Sequence, residues 1–275
     1  MIPKNIIDTL IKISLLFSLK EILIKYTLKI SRLGIKIALS NIEFINGLFS
    51  LIFVAISLTV GIRMAFKYFK FNDKNLIYMG VGWIGITSPW WPSTTSFIYT
   101  LITGTGLNEF LYFSISMPLT PWFMVIFVLG ITNLIQTKHQ KIILPAYIIL
   151  GILFEAFYLY SLFTNPSNIG TLESQIDVRY TGFTMIYLII NLFTILTLGI
   201  YFGKESLKAT NPEINLKGKF LIVAFLFYFI GGFLDSSLPL NIVTLSLTRI
   251  ILILGSFFFY NGFILPEWIK NRFIK

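Results

Sequence analysis

Long hydrophobic runs, separated by short polar stretches, cover most of this chain. Seven runs can be delimited, over residues 44–66, 76–103, 110–135, 142–163, 180–203, 220–238 and 242–265. A helix rises about 1.5 Å per residue, so each run is long enough to cross a hydrocarbon core of about 30 Å. The pattern predicts an all-α polytopic membrane protein, a seven-transmembrane-helix bundle over residues 42–270.

The segment before the first run, residues 1–41, has a different pattern. It carries seven basic residues: Lys4, Lys12, Lys20, Lys25, Lys29, Arg32 and Lys36. Steps of four, three and four residues place the last four on one stripe of a helix, with apolar residues on the remaining face. This predicts a basic amphipathic N-terminal helix on the membrane surface. A weak eighth span over residues 5–24 is the alternative.

Basic residues between the runs are distributed asymmetrically. Thirteen Lys and Arg residues lie in the segments after the first, third, fifth and seventh runs or, for Arg63, at the end of the first run, whereas loops 104–109, 164–179 and 239–241 carry only Arg179. Cytoplasmic loops of membrane proteins are enriched in Lys and Arg. The bundle is therefore predicted to sit in the cell (cytoplasmic) membrane with its N-terminus out, its C-terminus in, and residues 271–275 as a cytoplasmic tail.

The net charge of +10 is also typical of nucleic-acid-binding proteins. Here the basic residues lie in short loops between apolar runs, where they face the anionic inner leaflet favourably. We therefore expect the lipid bilayer, and no nucleic acid, as the partner of these charges.

Prolines interrupt the second and third runs. Pro89 and Pro92 lie near the middle of the second run, and Pro118 and Pro121 lie in the third. Proline removes a helical donor and clashes with the preceding turn, so kinks are expected. The outer halves of these two helices are predicted to line an outward-opening ligand cavity, although plain packing is the alternative. The candidate lining residues are Trp90, Trp91, Ser93, Thr94, Thr95 and Trp122.

Three ionisable residues fall inside the runs: Glu155, Asp235 and Arg249. Charges within a membrane are costly, so they face the bundle interior and pair with one another. Counting residues from the run ends places all three in the outer half, with Arg249 within reach of either carboxylate. We expect an ion-pair cluster in which Arg249 pairs with one or both carboxylates, as a structural lock, a proton-linked switch or an anchor for a polar ligand.

Residues for catalysis or metal binding are scarce. The chain has no cysteine, and its only histidine is His139. No lysine in the last run could hold retinal, and no phosphate-binding or dinucleotide-binding motif is present. The sequence predicts no enzyme activity, no cofactor and no metal site.

Three short motifs stand out: Lys67-Tyr68-Phe69-Lys70, then Gly-Trp-Ile-Gly-Ile-Thr-Ser-Pro-Trp-Trp-Pro-Ser at 82–93, and Phe-Ile-Leu-Pro-Glu-Trp at 263–268. These motifs resemble uncharacterised multi-pass membrane proteins of Asgard (Lokiarchaeota-like) archaea. The resemblance extends over residues 42–270. It implies a membrane protein and supplies no activity and no site residues.

Three functions are compatible with the pattern. The leading one is a receptor-like sensor that binds a small or lipid-derived ligand in the outer cavity and contacts a cytoplasmic protein partner through residues 204–219 and 267–275. A small-solute transporter is the second, because broken helices near the midplane are typical of transporters. A structural or lipid-interacting membrane protein is the third. A cavity open only outward would favour the sensor, and a tunnel would favour transport.

Overall fold

Six helices of the part that the computed structural model describes, residues 39–237 and 241–274, are long and apolar enough to cross a membrane. They are Asn41–Phe71, Glu109–Ile135, Gln140–Thr164, Gly182–Leu207, Pro212–Ser237 and Ile242–Ile264. The chain is therefore a helical, membrane-embedded protein. The predicted amphipathic helix or eighth span of residues 1–38 lies outside the described residues.

The helices are numbered in chain order. They are α1 Asn41–Phe66, α2 Tyr68–Phe71, α3 Lys74–Ile86, α4 Trp91–Thr103, α5 Glu109–Ser116, α6 Thr120–Ile135, α7 Gln140–Thr164, α8 Gly182–Leu207, α9 Pro212–Ser237, α10 Ile242–Ile264 and α11 Glu267–Phe273. Short 3-10 turns cover Ser88–Trp90 and Pro166–Asn168, and two strands are β1 Gly170–Ser174 and β2 Asp177–Tyr180.

The second hydrophobic run does not form one continuous helix. It divides into α3 and α4, of 13 residues each, joined by the 3-10 turn Ser88–Trp90. Pro89 lies within this turn and Pro92 follows in the first turn of α4, where a proline is compatible with a new helix start. Neither half is long enough to span a membrane alone, which is why six span-length helices are found where the runs predicted seven.

The third run is also interrupted, but by a shorter break, and its two helices together form one of the six spans, Glu109–Ile135. α5 ends at Ser116 and α6 begins at Thr120, so the gap contains Pro118, and Pro121 stands at the start of α6. Pro121 also packs against α7, because a Cβ placed on Gly151 would lie 3.1 Å from the Pro121 Cβ. The four predicted kink prolines therefore lie at two real breaks.

The loop predicted over residues 164–179 contains a β-hairpin. β1 and β2 pair antiparallel, with a register irregularity between Leu172 and Ser174. The turn at its tip is inserted into the bundle: Ile176 is fully buried, and the Gln175 carbonyl accepts a hydrogen bond of 2.5 Å from the Ser96 hydroxyl. The hairpin is thus fixed against α4, and it adds a small sheet to an otherwise helical protein.

The two ends of the bundle are distinct. At the hairpin end, the Glu43 carboxylate near the start of α1 accepts a hydrogen bond of 3.4 Å from the Gln175 backbone. The opposite end, called the lysine end, contains α2, the α6–α7 and α8–α9 turns, and α11. Its basic residues include Lys67, Lys138 and Lys208.

The ends of the predicted bundle domain differ slightly from the observed helices. α1 begins at Asn41 behind a capping box, in which Ser40 and Glu43 satisfy each other's backbone donors. At the other end, the expected boundary between residues 270 and 271 falls inside α11. Lys270 in α11 forms an ion pair of 2.9 Å with Glu213 on α9, so α11 is attached to the bundle.

Aromatic side chains and glycines fill the lysine half of the core. Trp83 stacks on Phe259 with ring centroids 3.6 Å apart, and both are fully buried. Between α8 and α9, a Cβ on Gly218 would lie 2.9 Å from the Gly203 carbonyl oxygen, so the two backbones nearly touch. Small residues that allow such approach are typical of helix packing in membranes.

Candidate functional site: a cavity at the hairpin end

A cavity of about 930 Å³ occupies the hairpin half of the bundle. It lies between the start of α1, the α3–α4 break, α6, the β-hairpin, α8, the end of α9 and α10. Its apolar wall includes Ile42, Ile86, Met124, Met185, Leu188, Ile189, Leu192, Ile195, Phe233 and Leu245. Its volume is at the upper end of the range for sites that enclose a small molecule.

An ion pair stands at the centre of the polar wall. Arg249 on α10 donates from one terminal nitrogen to Asp235 Oδ2 at 2.9 Å, and from the other to Asn46 Oδ1 on α1 at 2.9 Å. The Arg249 side chain is only 3% exposed and that of Asp235 16% exposed. The structure therefore brings together two of the three predicted ionisable residues and links α1, α9 and α10 through them.

The α3–α4 break adds a tryptophan to this pair. Trp90 Nε1 donates to Asp235 Oδ2 at 2.9 Å, and the Arg249 guanidinium lies 5.9 Å from the Trp90 ring centroid. The break also frees the Ile86 carbonyl, which accepts a hydrogen bond of 2.6 Å from the Tyr228 hydroxyl. A proline-broken helix is thus stabilised by partners from a distant part of the chain, as a membrane interior requires.

Several polar atoms at the cavity wall are buried without a hydrogen-bond partner among the described residues. They are Asp235 Oδ1, Arg249 Nε and both polar atoms of the Asn191 amide. The Tyr187 hydroxyl, one turn earlier on α8, is the polar group near the Asn191 amide. Buried polar atoms in native proteins nearly always have partners. These atoms have almost no accessible surface, but their side chains line the cavity, so a small side-chain rotation would bring them into contact with water or a ligand there.

The β-hairpin contributes charge above this wall. Glu173 and Arg179 form an exposed ion pair of 3.1 Å, whereas Asp177 has no ion pair within the described part of the chain. Burial and the nearby Asp235 carboxylate raise the pKa of Asp177 to about 6, with Arg249 opposing the shift. Burial also raises the pKa of Tyr180, whose hydroxyl pairs with that of Ser116 at 2.5 Å.

Only part of the predicted lining faces the cavity. Trp90 and Ser93 line it, as does Pro89. Thr94 and Thr95 instead bond the backbone of their own helix, at the Trp90 and Trp91 carbonyls. Hydroxyl residues in helices commonly bond one turn back, so they were poor indicators of a pocket.

The two remaining tryptophans of the predicted lining also point elsewhere. Trp91 donates to the Thr87 hydroxyl at 3.2 Å and packs against the core, and Trp122 is 40% exposed on α6. The cavity therefore lies on one side of the α3–α4 break, the side that carries Trp90 and Ser93.

Glu155 does not belong to the ionisable cluster. It lies on α7, which contributes nothing to the cavity wall, and it forms no ion pair with Arg249. Its depth in the bundle matched that of Arg249, but depth does not fix the direction in which a side chain points. Of the two carboxylates with which Arg249 was expected to pair, only Asp235 does so, and the second partner of Arg249 is the neutral Asn46 rather than Glu155.

Important site residues were missing from the sequence-based prediction. They are Asn46, Asp177, Tyr180, Asn191 and Tyr228. A polar residue in a hydrophobic run was a usable signal for Asn46 and Asn191. No local pattern marked Asp177 in the external loop or Tyr228 among phenylalanines, because their roles depend on contacts with distant segments.

The cavity wall ends in the middle of the bundle. Its deepest residues include Ile86, Ile195 and Tyr228, and beyond them lie the stacked Trp83 and Phe259 rings. Over the described ranges, no group of three His, Asp or Glu side chains is arranged to hold a metal ion. Comparison with known protein families, with curated proteins and with solved structures gives no match to this chain.

Proposed function

We propose that the protein is a receptor-like membrane sensor that binds a small or lipid-derived ligand in an outward-facing cavity. The observation that carries this proposal is the Arg249–Asp235 pair at the wall of a 930 Å³ cavity, with Asp235 Oδ1 and Arg249 Nε buried and unpartnered among the described residues. A purely structural ion pair has no need of an adjoining cavity. The alternative of a structural or lipid-interacting protein is therefore less well supported.

In this proposal, α3 and α4 together form a seventh crossing of the cell membrane. α3 begins at Lys74 at the lysine end, and α4 carries Ser96, which contacts the hairpin. Twenty-six residues in the two halves rise about 39 Å, enough to cross the bilayer. The distribution of basic residues supports the hairpin end as the outer one, and the bundle is then N-terminus out and C-terminus in.

The position of the cavity favours sensing over transport. Its wall stops at the packed rings of Trp83 and Phe259, and no residue of the α8–α9 turn lines it. Broken helices beside the cavity keep a transporter as the second candidate.

Ligand binding would be transmitted by α9 and α10, which carry Asp235 and Arg249 and continue to the lysine end. There Glu213 and Lys270 join α9 to α11, beside the surface that would contact a cytoplasmic partner.

The binding proposal can be tested by native mass spectrometry of the protein in lipid nanodiscs. Gly232→Leu places a side chain in the cavity, where a Cβ would lie 3.2 Å from a flexible Leu192 methyl and 3.9 Å from Trp90. We expect the unaltered protein to retain a small molecule or lipid that Gly232→Leu loses. Leu153→Phe, an exposed site on α7, is the matched control. Retention of the same molecule by all three proteins would contradict the proposal.

Cysteine labelling distinguishes the sensor from the transporter, because the chain has no cysteine of its own. Ser256 is fully buried beyond the cavity floor and pairs with Ser57 at 2.9 Å. In a sensor, Ser256→Cys stays unreactive from both sides. Reaction with an impermeant thiol reagent from the cytoplasmic side would establish an inward-open state and favour transport.

The orientation of the bundle in the membrane is also tested with single cysteine variants. Thr105 lies in the turn after α4 and Asn211 in the turn between α8 and α9, and both are exposed. We expect Thr105→Cys to react with an impermeant reagent in intact cells and Asn211→Cys to react only after lysis. The reverse result would place the cavity on the cytoplasmic side and overturn the proposed exterior site.

A further inference from the structure

The charges of the cavity wall do not balance. It contains four carboxylates, Glu43, Glu173, Asp177 and Asp235, and two guanidinium groups, Arg179 and Arg249. Two of the carboxylates are neutralised by ion pairs, Glu173 with Arg179 and Asp235 with Arg249. Glu43 interacts with backbone donors at the start of α1, where the helix dipole favours a negative charge. Asp177 is left as a carboxylate without a compensating cation in the described residues.

The unpartnered buried atoms of the wall, within the described part of the chain, are two acceptors, Asp235 Oδ1 and Asn191 Oδ1, and two donors, Arg249 Nε and Asn191 Nδ2, so the net negative charge of the wall decides which ligand it favours. Asp235 Oδ2 already accepts from Arg249 and Trp90, but its buried Oδ1 accepts from no described residue. On the α8 side, the carbonyl oxygen of Asn191 is also buried and unpartnered, in a residue that is 5% exposed. An ionised carboxylate is only an acceptor. A group with several N–H donors would satisfy these oxygens.

Resting on the proposed function, we infer that the cavity selects a ligand with an ammonium group and an apolar body. The ammonium would lie between Asp177 and Asp235 and donate to the free oxygens. The apolar body would lie along Met185, Leu188 and Leu192 of α8. An anionic ligand would add a third negative charge beside these carboxylates, and a neutral amide would leave Asp177 uncompensated in a low-dielectric site.

The aromatic side chains of the wall are compatible with a cation. Tyr180 and Tyr228 line the cavity beside Trp90. Ring faces attract organic cations within about 6 Å. The face of Trp90 is already approached by Arg249, so Tyr180, Tyr228 and Phe233 are the rings of the wall available to a ligand.

The inference is tested with three soluble probes that share one skeleton: 4-phenylbutylamine, 4-phenylbutanamide and 4-phenylbutanoate. Binding to the protein is measured by calorimetry in nanodiscs of phosphatidylcholine, at a pH where the amine is protonated and the acid ionised. We expect the amine to bind at least tenfold more tightly than either analogue. Equal or tighter binding of the amide or the acid would overturn the inference.

Two variants, one with a carboxylate of the cavity wall removed and one with a carboxylate outside it removed, test which group binds the amine. Asp177→Asn should weaken amine binding about tenfold and leave amide binding unchanged. Glu109→Gln removes the same charge from the start of α5, at the same end of the bundle but outside the cavity wall, and should have little effect. If both variants weaken amine binding equally, the effect comes from the overall negative charge at this end of the bundle. That result would overturn the assignment of Asp177 to the amine site.

A free amine and a lipid headgroup share this chemistry, and the membrane composition separates them. Replacing part of the phosphatidylcholine with phosphatidylethanolamine should lower the apparent affinity for the amine if a lipid ammonium occupies the site. An unchanged affinity assigns the site to a soluble amine. If Gly232→Leu loses a bound molecule that is not a cation, the inference fails while the proposed function stands. If Gly232→Leu changes nothing, the proposed function fails as well.

Discussion

In the hairpin half of the bundle, α8 and the end of α9 line a cavity with charged walls, whereas in the lysine half the backbones of the same two helices nearly touch. The contrast appears within α9 itself. Gly218 near its start nearly touches the backbone of α8, and Gly232 near its end faces Leu192 and the cavity. One helix therefore serves as a tightly packed element at one end and as a binding wall at the other.

The difference shows how a membrane bundle can maintain a polar cavity. Helix association in lipid relies on close van der Waals packing rather than on the hydrophobic effect. Close contacts such as Gly203–Gly218 and the stacked Trp83–Phe259 rings hold the lysine half together. The hairpin half has an apolar cluster of its own, in which Phe154 stacks on Tyr187, but beside the cavity α1, α9 and α10 are joined by hydrogen bonds and an ion pair centred on Arg249. We expect its stability to depend on those polar contacts.

The largest loss of stability is expected from breaking the ion pair between Arg249 and Asp235. Arg249→Met leaves Asp235 without its cation in a partly buried site, and such a loss typically costs about 3–5 kcal/mol. Adding Asp235→Asn to the same chain should recover part of the loss, because it removes the unpaired charge. Thermal unfolding followed by tryptophan fluorescence measures both. A double variant no more stable than Arg249→Met would show that the two residues do not act as a pair.

The next largest loss of stability is expected from a substitution at Gly218 of α9, and not at Gly232 of the same helix. Gly218→Leu places a side chain where a Cβ already lies 2.8 Å from Ser206 Cβ and 2.9 Å from a backbone oxygen. Overpacking of this kind costs about 3 kcal/mol. Gly232→Leu should cost less than about 1 kcal/mol, because its side chain enters the cavity. Equal losses of unfolding temperature would contradict the proposed contrast between the two halves.

Acidification should stabilise the hairpin half. The pKa of Asp177 is raised to about 6 in the folded protein. For a carboxyl group with a raised folded-state pKa, the stability contribution is fully present below the unfolded pKa and is lost as the pH rises through the folded one. The facing groups that influence it are Asp235, Arg249 and Glu173.

We therefore expect the unfolding temperature of the unaltered protein to rise as the pH falls from 7.5 to about 5. Asp177→Asn should flatten this dependence and be the more stable protein at pH 7.5. Asp73→Asn, in the turn before α3 at the lysine end, is the control and should retain the dependence. A curve that stays steep in Asp177→Asn would assign the titration to another group.

The smallest loss of stability is expected from removing a hydrogen bond in the lysine half. Ser57 and Ser256 share a hydrogen bond of 2.9 Å between α1 and α10. Hydrogen bonds between membrane helices contribute about 0.6 kcal/mol on average. Ser57→Ala and Ser256→Ala should each destabilise by about this amount, and the double variant should add little more. Fully additive losses would show that the two hydroxyl groups act independently.

The sequence by itself determined the membrane character, the breaks and the need of Arg249 for a partner. Hydrophobic runs longer than a bilayer core leave few alternatives to membrane helices. Prolines at 89 and 118 interrupt any helix that contains them. Arg249 needed a carboxylate partner because an isolated charge in lipid is costly, and the sequence offered Asp235 and Glu155 as the two candidates.

Only the tertiary structure decided which side chains share a cavity. The helices are apolar around most of their circumference, so periodicity does not mark an inward face. For this reason Glu155, Trp91, Thr94, Thr95 and Trp122 were assigned to a site that they do not reach. Asn46, Tyr228 and Asp177 come from segments far apart in the chain, and they meet at Arg249 and the α3–α4 break only because the helices pack in this particular arrangement.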